Sequence, residues 1–244
     1  MFSIYWVLGY TISFALFNAA NYGVPQTRER MIIFGHRGNG RIPLPQPTHS
    51  ESACHSLPWV TLGDAISGLE EARDDEFIPL RQKSLKYLRM LSEGQNWTAL
   101  PEDMAREAMG KAYELSGGKT GFLRKLTYSK PSPTLVTSPT MPATLLCHPT
   151  RERPLSIKEY ARIQQFPDHW VFSGKIAEVY KQIGNAVPVG LGYMAGSQII
   201  KFDNGEIAPD SDRDNRIPYS RYKRTTDREF LADFARKFLS QQLF

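Results

Sequence analysis

The chain has 244 residues, 41% of them hydrophobic, which is enough to bury one good core, or one core and a smaller lobe. Thirty Lys and Arg against 25 Asp and Glu leave a net charge of +5, which permits an anionic partner without demanding one. Two cysteines, Cys54 and Cys147, are too few and too far apart for a disulfide scaffold and fit a reducing, cytoplasmic compartment. Each precedes a histidine, His55 and His148, but adjacent residues rarely reach one ion together, so no metal is expected.

The first 27 residues carry no charged side chain. A secretory signal or membrane span is still not expected, because there is no basic leader and Ser3, Gly9, Thr11 and Ser13 interrupt the apolar part. Gly9 reads as the C-cap of a helix end at Tyr5–Leu8, and Tyr10–Phe17 as a strand. After the turn-rich Tyr22-Gly23-Val24-Pro25, a second apolar strand is expected at Arg30–Gly35, both strands belonging inside a larger sheet.

From His36 to about Pro149 prolines punctuate both ends of a helical stretch, the texture of a separate lobe with short amphipathic helices at Arg81–Leu91 and Pro101–Leu115. Ser156 and Glu159 form a capping box, Leu155 can staple against Tyr160, and that helix should stop at Phe166, before Pro167. A helix over Lys175–Gln182 leads to Gly184, and Pro188 opens an apolar helix reaching about Phe202. Asp210–Arg228 reads as a solvated linker and Glu229–Phe244 as an amphipathic tail helix.

In an extended segment alternate side chains share a face, so Gln26, Arg28 and Arg30 are expected to converge on one spot, where planar guanidinium donors suit a phosphate or a carbonyl oxygen. The plainer alternative is a strand edge of solvated arginines. At Gly184-Asn185-Ala186-Val187-Pro188, a turn before a helix N-terminus presents backbone N–H groups and an amide to a polar ligand, or is an ordinary cap. Gly117-Gly118-Lys119-Thr120 lacks the earlier glycine of a phosphate loop, since position 113 is Tyr.

Two motifs taken together carry a resemblance. Tyr22-Gly23-Val24-Pro25-Gln26-Thr27-Arg28-Glu29-Arg30, and the run from Arg153-Pro154-Leu155-Ser156 through Phe166-Pro167-Asp168 to Gly184-Asn185-Ala186-Val187-Pro188, resemble the later motifs of DNA (cytosine-5) methyltransferases over roughly Leu8 to Gly196. The resemblance implies an α/β fold: the C-terminal part of a Rossmann-like methyltransferase sheet with an inserted target-recognition lobe. Residues 1–36 would end the catalytic sheet, 37–152 form the lobe, 153–204 return to the catalytic domain, and 205–244 form the linker and tail.

It further implies S-adenosylmethionine as cofactor, with Asn185, Ala186 and Val187 at its site, and double-stranded DNA as partner. A cytosine turned out of the stack would meet Arg30 at its carbonyl oxygen, with Arg28 supporting and Gln26 holding the loop. Arg124, Lys125 and Lys130 would contact DNA, and Arg153 would help organise the recognition lobe and touch phosphate, its plainer alternative being a helix-flanking surface arginine. Ala186 stands where the family pattern has serine.

The family's Pro-Cys-Gln, its Glu-Asn-Val and the glycine-rich cofactor loop are absent, and Cys54 and Cys147 sit in the wrong lobe to attack cytosine. Three readings follow: a subunit completed by a second chain carrying the N-terminal half, a truncated and inactive methyltransferase fragment, or a DNA-binding module without catalysis.

Overall fold

The first apolar run pairs as the sequence expects. In the computed structural model, which describes residues 8–38, 40–53, 56–69 and 71–209, the strands β1 (Tyr10–Asn18), β2 (Gln26–Thr27) and β3 (Glu29–Arg37) open the chain. β1 and β3 are antiparallel, with Tyr10 opposite Arg37, Phe14 opposite Ile33 and Asn18 opposite Glu29. Asn18 accepts from the Ala20 N–H at 3.2 Å to start the turn at Ala19–Tyr22, and Gly23 closes it at φ +78, a left-handed backbone that glycine adopts without a Cβ penalty. The expected helix end at Tyr5–Leu8, the Cys54-His55 pair, the linker and the tail helix lie wholly or largely outside the described residues.

Contacts divide the described residues into two compact units, one of residues 8–23, 28–58 and 190–209, the other of 24–27 and 59–189. In the first, Ile12, Ser13, Phe14 and Ala15 are all buried, so both faces of β1 are covered. Phe17 meets Phe34 edge-on at 6.1 Å, and Ser13 Oγ donates to Ile42 O at 2.6 Å. β3 is less covered: Met31 and Ile33 are exposed, contrary to a strand expected inside a sheet, and neither β1 nor β3 has a second strand neighbour among the described residues. Two short parallel strands, β4 (His49–Ser50) and β5 (Leu57–Pro58), complete the strands of this unit.

In the second unit β2 pairs in parallel with β6 (Ser132–Pro133). The helices are α1 (Leu62–Ile66), α2 (Gln82–Leu88), α3 (Glu102–Met109), α4 (Ile157–Ile163) and α5 (Ile176–Asn185). One core gathers Leu62, Leu126, Leu146, Leu155, Tyr160 and Tyr180, and a second gathers Leu85, Leu88, Leu100 and Leu123 around α2 and α3. Tyr160 and Tyr180 meet edge-on at 4.9 Å, and Tyr180 Oη donates to Leu155 O at 2.6 Å. Residues 153–189 thus group with the lobe, because α4 and α5 bury their apolar faces in the core that α1 and Leu126–Leu146 build. The boundary at residue 153 that the resemblance implies falls inside this unit.

Helix α4 ends three residues before the expected stop at Phe166. Gln165 takes a left-handed backbone, φ +64, which no α-helix can pass through, so the chain turns before Pro167 is reached. The last helix, α6 (Val189–Asp203), starts beside Pro188 as expected; within the first unit Gln198 Nε2 donates to Pro43 O at 2.7 Å and Phe202 packs edge-on to His36. No helix among the described residues is long and apolar enough to cross a membrane.

The expected capping box is present: Ser156 Oγ accepts from the Glu159 N–H at 3.3 Å, and the Glu159 carboxylate accepts from the Ser156 N–H at 2.6 Å. Ser156→Ala removes half of it and should cost about 1 kcal/mol. Urea unfolding checks this, with a lower midpoint expected at unchanged slope; an unmoved midpoint means the cap contributes nothing.

Candidate functional site

The segment Gln26–Arg30 does not present three side chains to one face. Its alternation breaks at Arg28, which lies between β2 and β3, and its own carbonyl accepts from the Ala19 N–H at 2.9 Å. Gln26 is fully buried, Arg28 is 3% exposed and Arg30 is exposed. Burial, and secondarily the neighbouring charge of Arg30, pulls the Arg28 guanidinium down to about 10, so it remains a cation at neutral pH. Arg30 Nη1 donates to the Glu29 carbonyl at 2.7 Å, which leaves most of an exposed, planar donor set for a ligand oxygen. The expected convergence is therefore corrected: one arginine faces outward, one is held inside, and the glutamine serves the interior.

Gln26 is a fixed point of the second unit. Its Oε1 accepts from the Leu135 N–H at 2.9 Å, and its Nε2 donates to Gln164 Oε1 at 2.9 Å. Around it the chain is stitched by Thr27 Oγ1 to Ser132 O at 3.3 Å and Thr134 Oγ1 to Thr27 O at 2.9 Å. Gln164 has no counterpart among the residues singled out from the sequence. It sits just after a capped helix, where a glutamine carries no local signal, and its partners are up to 138 positions away.

The Gly184–Pro188 segment begins inside α5 and is shaped by close approach. A Cβ on Gly184 would run into the Val136 carbonyl oxygen, so only glycine lets the helix end lie against that stretch of backbone. Asn185 and Val187 are exposed, Ala186 is half-buried and Pro188 is buried. The leading N–H of α6, from Val189, donates to Gln164 O at 3.1 Å. The helix start is thus less open to a ligand than expected, and what the loop offers is the Asn185 amide and the Val187 side chain.

The four basic residues expected at DNA are not equivalent. Lys130 is exposed, Lys125 is half-buried, and Arg124 is half-buried with Nε donating to Leu145 O at 3.3 Å and its guanidinium pulled below its usual range by burial. Arg153 is 7% exposed and forms a two-pronged pair with Glu159, Nη1 to Oε2 at 2.8 Å and Nη2 to Oε1 at 2.9 Å. Its guanidinium is committed inside the fold, which is an organising position and not a surface one.

Against families of known proteins, residues 6–201 match the family described as C-5 cytosine-specific DNA methylase. Among individual relatives, Type II methyltransferase M.Eco47II of Escherichia coli is 40% identical over 198 residues, 79% of this chain and 46% of that protein. Type II methyltransferase M.PspPI of Psychrobacter sp. (strain TA137) is 40% identical, over 81% of this chain and 48% of that protein. Type II methyltransferase M.Sau96I of Staphylococcus aureus is 36% identical, over 80% and 44% respectively. The chain spans about half the length of the curated relatives it matches.

Cys147 is placed where a thiol cannot act. It is fully buried, its Sγ lies 3.4 Å from Arg153 O, and burial pushes the thiol up to about 12. Because the folded value is raised, the stability it contributes is complete below the unfolded value, about 8.5, and is lost as pH rises toward the folded one. In a Cys54→Ser background, alkylation at pH 8 should proceed only after denaturant is added; rapid labelling of the native chain would contradict this placement.

Proposed function

Because the chain belongs to the C-5 cytosine-specific DNA methylase family, we propose that it is the target-holding portion of a DNA cytosine-5 methyltransferase. The observation that carries the reading is the Gln-x-Arg-x-Arg segment, anchored at Gln26 and ending in the exposed guanidinium of Arg30. A second polypeptide segment, equivalent to the N-terminal half of the relatives, supplies the nucleophilic cysteine, the glutamate and most of the cofactor site. The apolar Met31 and Ile33, exposed on one face of β3, go with a face that a further segment covers.

Cytosine is unreactive at carbon 5 until a nucleophile adds at carbon 6, and negative charge then gathers on the ring carbonyl oxygen. Arg30, with its donors outward, takes that oxygen of a cytosine turned out of the duplex; Arg28, charged and held behind it in sequence, adds a fixed positive field. S-adenosylmethionine, when bound, supplies the methyl group as an electrophilic carbon. Asn185 and Val187 hold one side of it, with Ala186 between them contributing backbone only.

Residues 37–152 act as the target-recognition lobe, with Lys130 and Lys125 at phosphates, Arg124 beside them, and Arg153 fixing the start of the return segment. Residues 1–36 and 153–204 serve the catalytic domain. A DNA substrate goes with the reducing cytoplasm expected from the two cysteines.

Transfer of labelled methyl groups to DNA, by this chain alone and mixed with a polypeptide carrying the missing motifs, tests the reading. Activity only in the mixture is expected; inactivity of both would favour an inactive fragment, for which the same uncovered β3 face speaks. In the active mixture Arg30→Ala should lower turnover by about 10²–10³-fold, as for loss of one preorganised donor. Unchanged turnover removes Arg30 from the site.

A further inference from the structure

The family motifs give Gln164 no task, and its surroundings do. It is fully buried; its Nε2 donates to Ile183 O at 2.7 Å and to Ala186 O at 3.1 Å, and its Oε1 accepts from Gln26 Nε2. Gln26 passes the polarity on, accepting with Oε1 from the Leu135 N–H. The Gln164 carbonyl accepts from the Val189 N–H, at the far end of the same loop.

The orientation of both amides is dictated from the ends. Two carbonyls at one end require the Gln164 nitrogen, and one N–H at the other requires the Gln26 oxygen, so turning either amide over would set like atoms against each other. No other neutral side chain of this length supplies two donors on one atom and an acceptor on the next. A side chain that only filled space would show no such match.

We propose that Gln164 is a positioning residue that locks the Ile183–Val189 loop to β2, so that the cofactor-facing Asn185–Val187 segment and the leading residue of the Gln-x-Arg-x-Arg motif move as one body. The proposal rests on the assignment of that loop to the cofactor. Its consequence is that cofactor affinity depends on a side chain that touches neither cofactor nor DNA, and that Gln26 and Gln164 act as one unit.

Two measurements on Gln164→Leu, which keeps the bulk and removes every side-chain hydrogen bond, test it. In the chain alone, amide hydrogen exchange should speed up by about tenfold at Leu135, whose N–H donates to Gln26 Oε1, while the amides of α2 and α3 keep their protection. In the mixture with the missing half, KM for S-adenosylmethionine should rise by about tenfold with kcat changed by less than about threefold. The Gln26→Leu/Gln164→Leu double variant should be no worse than either single one, because each cuts the same relay.

Unchanged exchange at Leu135, or additive effects in the double variant, overturns the proposal. Should Gln164→Leu fail to fold, Gln164→Glu takes its place: it keeps an acceptor for Gln26, loses the paired donors, and should recover part of the protection as pH is lowered and the carboxyl gains a proton. No recovery at low pH counts against the relay. If the wild-type mixture transfers no methyl, the functional reading fails, and the exchange measurement alone decides whether the relay ties loop to strand.

Discussion

A carboxylate taken out of water must be surrounded by donors, and Glu159 organises the second unit by meeting that demand. It is fully buried, takes the Ser156 N–H and both prongs of Arg153, and lies 3.4 Å from His148 Nε2. His148 Nδ1 accepts from the N–H groups of Thr150 and Arg151, which assigns its proton to the nitrogen facing Glu159. One side chain therefore fixes the turn at 148–153, the start of α4 and the path into the core. Losing either member of such a buried pair typically costs about 3–5 kcal/mol, because the other charge is left without compensation.

That demand explains why the basic residues divide as they do. A positive net charge suggests a basic surface, yet Arg153 is consumed by Glu159 and Arg124 points one donor at a main-chain carbonyl. Other cations are paired at the surface, Arg162 with Asp168 and Arg151 with Glu71, where each pair is worth little and screens readily. Arg28 is buried too, and burial pulls its guanidinium down to about 10, where it stays a cation at neutral pH.

What could be read from the sequence was what is local. The β1 and β3 runs, the capping box at Ser156 and the apolar helix after Pro188 follow from short-range patterning and were legible. Alternation misled at Gln26–Arg30, because a strand that ends at Thr27 and another that begins at Glu29 do not share one pleat. The end of α4 was misjudged because proline is a visible stop, whereas the left-handed Gln165 is a tertiary outcome. Gln164 and the pairing of Arg153 with Glu159 were hidden for a related reason: side-chain type does not say whether a polar group will be buried, and only the fold brings the partners within reach.

The contact of Gly184 with Val136 has a consequence for how this region can vary. With no room for even a methyl group, position 184 cannot be altered unless the backbone at 136 withdraws, and that backbone follows directly on Leu135, which is bonded to Gln26. Because the contact is to main-chain atoms, no substitution at 136 relieves it: position 184 is closed to any side chain, whereas position 136 is limited only by its own surroundings.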